Sequence, residues 1–269
     1  MLFSGVNMEF EKISSRSNEK IKLFQHLSQS ASFRRETGLF ALEGARICSD
    51  EAITGIEIKT AFFTVEALRK YPEYADAVIK KAEQCFEITH DLCGRISDTR
   101  GPQGIFCICV QRKNFDEQNL CENGTYIALD NMQDPSNLGA VLRTAEAFGL
   151  SGVLVGGGCD IYNPKALRAA MGSSLRISVL TTSNLPSLLI FASKKGMLTV
   201  ASTPDSSAVC VKDMPKRDGI VCVIGNEGSG ISQEVKDVCD MQITIPMRGR
   251  AESLNAAAAA AVLMWELTK

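Results

Sequence analysis

The sequence predicts an α/β protein with a small N-terminal domain and a larger C-terminal domain built on a parallel sheet. Short apolar runs alternate with segments of helical periodicity along the chain, as in a sheet whose strands are joined by helices. In the second half these runs are almost continuously apolar, as strands covered on both faces are. The chain has 269 residues, 45% of them apolar, which is enough for two hydrophobic cores.

The N-terminal half opens with an amphipathic helix at residues 17–29. Ile21, Phe24 and Leu27 recur there at helical spacing, and lysines occupy the opposite face. Strands are predicted at 39–42, 56–64, 85–88 and 105–110, and helices at 45–53 and within 65–81. The polar stretch that follows is predicted to be a linker. The chain is therefore divided into a domain at 1–113, a linker at 114–124 and a second domain at 125–269.

The second domain continues the alternation of strand and helix. Strands are predicted at 126–129, 153–155, 177–180, 197–201, 220–224 and 243–245, and helices at 137–148, 164–171, 185–195, 233–238 and in the alanine-rich segment after Ser253. Loops 131–136, 225–230 and 246–253 each follow a strand. Because ligands of parallel sheets bind at the carboxyl ends of the strands, the three loops are predicted to converge on one rim.

The glycine-rich loop 225–230 lacks the residues of a phosphate site. It follows an apolar strand, but the lysine and the hydroxyl residue of a P-loop are missing. Residues 155–158 likewise lack the spaced third glycine and the acidic residue of a dinucleotide fingerprint. Glycines that only form turns are the simpler interpretation. Glu227 is the exception, because a buried carboxylate between glycines needs a polar partner.

Three longer blocks carry a resemblance to a known family. They are residues 134–149 (DPSNLGAVLRTAEAFG), 224–232 (IGNEGSGIS) and 245–256 (IPMRGRAESLNA). In content, order and spacing they resemble the three motifs of the SpoU (TrmH-type) RNA ribose 2′-O-methyltransferases of the SPOUT superfamily. Residues 161–174 resemble the segment between the first two motifs, and residues 12–110 resemble the substrate-binding domain that often precedes them. The resemblance implies an L30e-like fold for this RNA-binding domain and a trefoil knot in the C-terminal domain.

The resemblance also implies a cofactor and a set of site residues. S-adenosylmethionine is expected to bind largely through backbone groups, at Ala201, Gly225, Asn226, Gly228, Ile245, Met247, Leu254, Asn255 and Ala256. The expected catalytic residues are Arg143, Asn137, Glu227, Ser253 and Asn255. Methyl transfer from a sulfonium to an oxygen mainly requires alignment of the reacting atoms, so no metal site is predicted.

Arg143 has two roles open to it. A free guanidinium has a pKa above about 12, which favours positioning and charge stabilisation over work as a general base. On residue type alone Arg143 is also interpretable as a surface ion pair, Ser253 as a helix N-cap and Asn255 as a first-turn residue.

RNA contacts are predicted in spite of a net charge of −2, which is low for a nucleic-acid-binding protein. The basic side chains cluster in residues 12–35, where six of them accompany one glutamate. Phosphate contacts are expected from Lys20, Lys22, Arg34, Arg35, Arg143 and Arg248. For the two lysines and for the loop arginine Arg248, a solvated surface position is the alternative.

Apolar runs, cysteines and small residues of the sequence predict where the protein is located and how it assembles. No apolar run approaches the length of a membrane span and the first ten residues lack a signal-peptide pattern, so a cytoplasmic protein is expected. Ten cysteines occur singly within the sequence and predict reduced thiols. The alanines at 256–261 and Gly139 favour close packing between two copies, and the resemblance implies a homodimer whose site is completed across the contact.

The expected function is transfer of a methyl group to a ribose 2′-hydroxyl of RNA. Ribosomal RNA is favoured, because the separate substrate-binding domain is commoner among the ribosomal enzymes of the family. The alternatives are a transfer-RNA methyltransferase and a non-catalytic RNA-binding or ribosome-assembly protein of the same fold. A small-molecule enzyme that binds a nucleotide is disfavoured by the missing phosphate loop.

Overall fold

The computed structural model describes residues 10–113 and 115–269, side chains at 51–54 excepted. The chain divides into two compact units. The first contains the described residues up to Arg112 together with Tyr162–Arg168, and the second contains Lys113–Ile161 and Ala169–Lys269. Two parts of the predicted division lie outside the described residues, namely residues 1–9 of the N-terminal domain and residue 114 of the linker. Residues 1–9 include most of the segment in which no signal-peptide pattern was found.

The first unit is built on a mixed sheet. Its strands are β1 (Glu11–Ile13), β2 (Leu39–Glu43), β3 (Ile58–Phe63), β4 (Ala82–Ile88) and β5 (Ile105–Val110), and its helices are α1 (Glu19–Gln29), α2 (Ala31–Thr37), α3 (Ala45–Thr54), α4 (Val65–Lys70), α5 (Pro72–Ile79) and α6 (His90–Ile96). The strand order is β1-β4-β3-β5-β2. Strand β5 runs antiparallel to β2 and β3, and the other pairs are parallel. The predicted small α/β domain is therefore present as a structural unit.

Helix α1 packs on this sheet through the apolar face that the sequence predicts. Ile21, Phe24 and Leu27 are buried. The ring of Phe24 meets Phe62 and Phe106 edge-on, with centroid separations of 6.1 and 5.5 Å. Such edge-to-face contacts add to the stabilisation that burial of the rings provides.

Three elements of the first unit, β1, α2 and α6, are absent from the prediction. The two helices have seven residues each, which is too short for a repeat of apolar positions to stand out. Their ends are set by local chemistry instead. The hydroxyl of Ser30 accepts the N–H of Phe33 at the start of α2, and that of Thr89 accepts the N–H of Leu92 at the start of α6.

The second unit confirms the predicted parallel sheet. Its strands are β6 (Thr125–Asp130), β7 (Gly152–Gly156), β8 (Val179–Thr182), β9 (Leu198–Ser202), β10 (Val209–Cys210), β11 (Ile220–Ile224) and β12 (Met241–Thr244). The helices of this half of the chain are α7 (Pro135–Ala147), α8 (Pro164–Ala170), α9 (Leu185–Lys194), α10 (Gln233–Val238) and α11 (Ala256–Leu267). The residues of α8 up to Arg168 belong to the first unit. The strand order is β10-β12-β9-β11-β6-β7-β8, and every pairing is parallel. The trefoil knot stays a prediction, because strand order does not specify threading.

The described residues of the predicted linker pack on the second unit. Leu120 is buried, and the side chain of Phe115 packs against the hydrophobic core of the sheet. The N–H of Phe115 donates to the carbonyl of Val179 at 3.3 Å, and the N–H of Cys121 donates to the hydroxyl of Tyr126 at 2.9 Å. Two apolar residues in an otherwise polar stretch therefore anchor the segment, which the polar composition does not reveal.

Within the described ranges, no helix combines the length and the apolar character that a membrane crossing requires. The ten cysteines are thiols outside disulfide bonds, and five of them, Cys48, Cys93, Cys107, Cys109 and Cys222, are buried.

Candidate active site

Two of the three predicted loops, 225–230 and 246–253, line one cleft at the carboxyl ends of the strands. The cleft has a volume of about 590 Å³ and is lined by residues that follow β11, β12 and β9. Asn226, Met247 and Leu254, one from the glycine loop and two from the last motif, all contribute to its wall. The third predicted loop, 131–136, does not line the cleft and meets the glycine loop through the hydrogen bonds of Gln133 and Asp134 to Glu227. The volume is in the range of small-molecule sites.

The glycine loop is closed by its own backbone. Asn226 and Gly230 exchange both N–H···O hydrogen bonds at 3.0 Å, and the Asn226 side-chain oxygen accepts the N–H groups of Gly228 and Ser229. At Gly225 a Cβ atom would lie 2.2 Å from the carbonyl carbon of Gly230, so only glycine fits this approach. The loop is therefore a compact turn that presents backbone groups to the cleft.

A hydrogen-bonded chain of side chains links all three motifs. Glu227 accepts the N–H groups of Gln133 and Asp134, each at 3.1 Å, and the side-chain amide of Asn137 at 2.9 Å. The side-chain oxygen of Asn137 accepts in turn from the amide of Asn255 at 3.1 Å. Glu227 is exposed and not buried as expected, and its polar partners are Asn137 of α7 and the two residues that precede the helix.

The Glu227 carboxyl is held in its ionised form. Desolvation is the largest effect and acts to raise the pKa, but it is outweighed by hydrogen bonds from Asn137 and from the backbone N–H groups of Glu227, Gln133 and Asp134. The net pKa lies below the ordinary value of 4.5. Carboxylates that accept several backbone N–H groups show this shift generally.

The start of the last helix is fixed by Asn255 and not by Ser253. The side-chain oxygen of Asn255 accepts the N–H groups of Ala257 and Ala258 at 3.0 and 3.2 Å and caps α11. The interpretation of Ser253 as the N-cap and of Asn255 as a first-turn residue is therefore wrong. Ser253 lies in the preceding loop and lines the cleft. The amide nitrogen of the same Asn255 side chain donates to Asn137.

Arg143 projects from α7 into solvent. The helix places Asn137 on its buried side, whereas Arg143 is exposed. Among the described residues, the Arg143 side chain has no hydrogen bond or ion pair, so its interpretation as part of a surface ion pair is wrong. It does not line the cleft. An unpaired guanidinium on the helix that positions Glu227 is available to an external anion.

The wall of the cleft contains most of the predicted cofactor residues. Gly225, Asn226, Gly228, Ile245, Met247, Leu254, Asn255 and Ala256 line it, and so do Glu227 and Ser253. Ala201 does not, because it is fully buried in the core beneath the sheet end. The prediction for Ala201 is corrected to the next residues along the chain, Ser202 and Thr203.

Several lining residues were not predicted. They are Ser202, Thr203, Pro204, Ile224, Ser229, Gly230, Ile231, Lys236 and Ala259. Residues 202–204 lie at the carboxyl end of β9, so the rule that ligands bind at strand carboxyl ends identifies them too. Lys236 lies on α10 and reaches the cleft only through the tertiary fold.

The basic residues expected to contact RNA differ in exposure. Lys22, Arg35 and Arg248 are exposed, and Lys20 is partly buried with its ammonium donating to Gln84 at 2.6 Å. Arg34 is 2% exposed, and its guanidinium donates to the carbonyl of Leu27. The RNA contact predicted for Arg34 is wrong, because the side chain ties α2 back onto α1.

Among the residues that the structure describes, no group of histidine, cysteine and acidic side chains has a metal-binding arrangement.

Known proteins show the same combination of two parts. Residues 124–265 match the model of the SpoU rRNA Methylase family, and residues 18–107 match that of the MRM3-like substrate binding domain. The chain is 30% identical over 258 residues to the 23S rRNA (guanosine(2553)-2′-O)-methyltransferase RlmP of Bacillus subtilis, covering 96% of this chain and 99% of that protein.

Solved structures agree over nearly the whole chain. An AdoMet-bound rRNA methyltransferase from Sinorhizobium meliloti has a TM-score of 0.85 and 28% identity, over 96% of this chain and 97% of that chain. The SpoU methyltransferase AviRb from Streptomyces viridochromogenes, solved in complex with AdoMet, has a TM-score of 0.82 over 93% of this chain and 97% of that chain. At 24% identity this second likeness shows the fold.

Proposed function

The chain belongs to the SpoU rRNA methylase family, and we infer that it is an S-adenosylmethionine-dependent enzyme that methylates a ribose 2′-hydroxyl of ribosomal RNA. The observation that carries this inference is the cleft formed by the second and third motifs, which Glu227 and Asn255 join to Asn137 of the first motif by hydrogen bonds. Full-length similarity to a 23S rRNA 2′-O-methyltransferase supports ribosomal over transfer RNA.

The cleft fits an adenosine ligand without phosphates. Its wall combines the backbone of the glycine loop, apolar side chains such as Ile245 and Met247, and the hydroxyl groups of Ser202 and Thr203. Apolar walls with a few polar groups suit a ring and a ribose. The lysine of a phosphate-binding loop is missing from the glycine loop itself, as expected for a nucleoside ligand.

When bound, S-adenosylmethionine supplies a methyl group on a positively charged sulfur. The protein has to align the ribose oxygen with that carbon and sulfur, and to stabilise the charge that the oxygen gains as its proton leaves. We assign this stabilisation to Arg143, whose guanidinium is exposed and without partners among the described residues. Its ordinary pKa, above about 12, makes it a poor base.

The remaining catalytic assignments are positioning roles. Asn137 is buried and touches Glu227 and Asn255, so it acts on the site through the loop and the helix that it joins. Glu227 and Asn255 hold their own loops to α7, and Ser253 offers a hydroxyl to the cleft. Substrate RNA is proposed to contact Arg248 and, on the first unit, Lys22 and Arg35, all three of which are exposed.

A homodimer in the cytoplasm is proposed as the working form. Helix α11 carries exposed apolar side chains, Val262 at 38% and Trp265 at 53% exposure, beside a run of alanines. The ring of Trp265 lies 5.9 Å from that of Phe148 at the end of α7. An apolar surface of this kind suits a subunit contact. Sedimentation of the wild type as a dimer and of Trp265→Glu as a folded monomer supports this contact, whereas a monomeric wild type at micromolar concentration removes it.

The function is tested with labelled S-adenosylmethionine and total RNA, followed by mapping of ribose methylation. We expect 2′-O-methyl label in ribosomal RNA with the wild type and a loss of about 10²- to 10³-fold with Arg143→Ala. Arg250→Ala, which alters a solvent-exposed arginine of the loop, is the matched control. RNA and cofactor binding without transfer favours a non-catalytic RNA-binding protein, and label in transfer RNA alone favours the transfer-RNA alternative.

A further inference from the structure

The cleft contains two charged side chains among the residues that line it in the described chain, Glu227 and Lys236. The Glu227 carboxylate already accepts three hydrogen bonds from the start of α7. The Lys236 side chain, in contrast, has no hydrogen bond or ion pair within the described ranges. The cleft therefore offers an incoming ligand one uncommitted positive charge.

Lys236 interacts electrostatically with Asp205. Lys236 is among the groups that lower the pKa of Asp205, after the hydrogen bonds from Ser207. Asp205 is exposed, and its carboxylate accepts the N–H of Ser207 at 2.8 Å. Asp205 thus shares the electrostatic field of Lys236 without pairing with it.

The ligand proposed for this cleft carries one anionic group. S-adenosylmethionine is cationic at sulfur and at its α-ammonium, and negative only at its α-carboxylate. A lysine in the wall repels the first two groups and attracts the third. Charge-assisted hydrogen bonds to a carboxylate are stronger than neutral ones.

We propose that Lys236 binds the α-carboxylate of the methionyl group, and that it thereby orients the ligand and selects it over adenosine thioethers that lack the amino acid. This inference rests on the proposed function, since it assigns a residue within the same cofactor cleft. Lys236 is a binding residue that the sequence motifs do not contain, because it lies on α10, beyond the glycine loop.

The test is a comparison of ligands by isothermal titration calorimetry on the full chain, without any methyl transfer. Wild type, Lys236→Met, Lys236→Gln and Lys236→Arg are each titrated with S-adenosylhomocysteine, S-adenosylmethionine, decarboxylated S-adenosylmethionine and 5′-methylthioadenosine. Lys194→Met, at an exposed position on α9 away from the cleft, is the matched control. The melting temperature of each unliganded variant checks its folding.

We expect Lys236→Met and Lys236→Gln to bind the two carboxylate-bearing ligands about tenfold more weakly, which is the effect of losing one charge-assisted hydrogen bond. Binding of the neutral 5′-methylthioadenosine is expected to change less than twofold, and the cationic decarboxylated S-adenosylmethionine is expected to bind equally or more tightly, because a repelling charge is removed. Lys236→Arg should retain most of the affinity, and Lys194→Met all of it. Asp205→Asn should tighten the binding of the carboxylate-bearing ligands, because a competing negative charge is removed.

An equal loss of affinity for all four ligands overturns the proposal, because the lysine then has a structural role. No loss of affinity for any ligand also overturns it, because the lysine then takes no part in binding. If Lys236→Met does not fold, the comparison of Lys236→Gln and Lys236→Arg decides the question in the same way. A wild type that binds none of the ligands refutes the proposed function itself. If the wild type binds the ligands and the Lys236 variants bind them with the same affinity, only the role of Lys236 is refuted.

Discussion

The amide nitrogen of Asn137 lies 2.9 Å from a carboxylate oxygen of Glu227, 90 positions further along the chain. The same asparagine accepts a hydrogen bond from Asn255 through its side-chain oxygen. One buried side chain therefore holds the glycine loop and the last helix to α7. Both polar atoms of this side chain have a partner, which makes it sensitive to substitution, because buried polar groups that lose a partner are costly.

Asn137→Ala is expected to destabilise the protein by about 1–3 kcal/mol, since Asn255 loses its acceptor and Glu227 one of its donors. Thermal or urea unfolding measures the change. A double-mutant cycle with Asn255→Ala should show a coupling of about 0.5–3 kcal/mol, as expected for residues in contact. Asn123→Ala in an exposed turn serves as the control and should be nearly neutral. If the changes in unfolding free energy caused by Asn137→Ala and Asn255→Ala simply add, the two residues do not share a stabilising hydrogen bond.

The contribution of Glu227 to stability should depend on pH. Its pKa in the folded protein is lowered, so the stabilisation is fully present above the ordinary value of 4.5 and is lost as the pH falls through the folded-state pKa. The difference in unfolding free energy between the wild type and Glu227→Gln is therefore expected at neutral pH and should shrink below pH 4.5. Urea unfolding between pH 3 and 7, in steps of about half a pH unit, measures it. Glu252→Gln, at an exposed loop position, should show no such trend.

Gly225→Ala should distort the glycine loop. The added Cβ would lie 2.2 Å from the carbonyl carbon of Gly230 and 2.3 Å from the backbone nitrogen of Ile231, and backbone atoms cannot rotate away. A loss of about 1–3 kcal/mol in unfolding free energy and weaker binding of S-adenosylhomocysteine are expected. Gly228→Ala is the matched control for stability, because its nearest neighbour, the Asn226 side-chain oxygen, lies at an ordinary 3.6 Å. Equal stability of the two variants contradicts the crowding argument.

Neighbouring arginines in α2 should separate structure from RNA contact. Arg34→Met removes a buried donor to the carbonyl of Leu27 and is expected to cost about 1–3 kcal/mol or more in unfolding free energy. Arg35→Met alters an exposed side chain and should change stability by less than about 0.5 kcal/mol. Arg35→Met should instead weaken RNA binding and reduce its dependence on salt. Unfolding curves and filter binding at several salt concentrations measure both. A stable Arg34→Met protein with weakened RNA binding would restore the original assignment of Arg34.

The sequence by itself determined the α/β class, the parallel sheet and the location of the cleft. Apolar runs covered on both faces specify parallel strands, and loops at their carboxyl ends are brought to one edge by that geometry alone. The likeness of residues 134–149, 224–232 and 245–256 to three family motifs identified the ligand class. The second and third of these motifs also supply most of the lining residues, because they contain the cleft loops themselves.

Only the tertiary structure decided which side chains line the cleft and which are buried. Arg34 and Arg35 are adjacent in a short helix, and their burial depends on the rotation of that helix against α1. Ala201 and Ser202 are likewise adjacent in a strand, and the point where the strand leaves the core decides which of them reaches the cleft. Lys236 lines the cleft from α10. Its place there depends on how α10 packs against the rest of the second unit, and the local sequence pattern does not encode this packing.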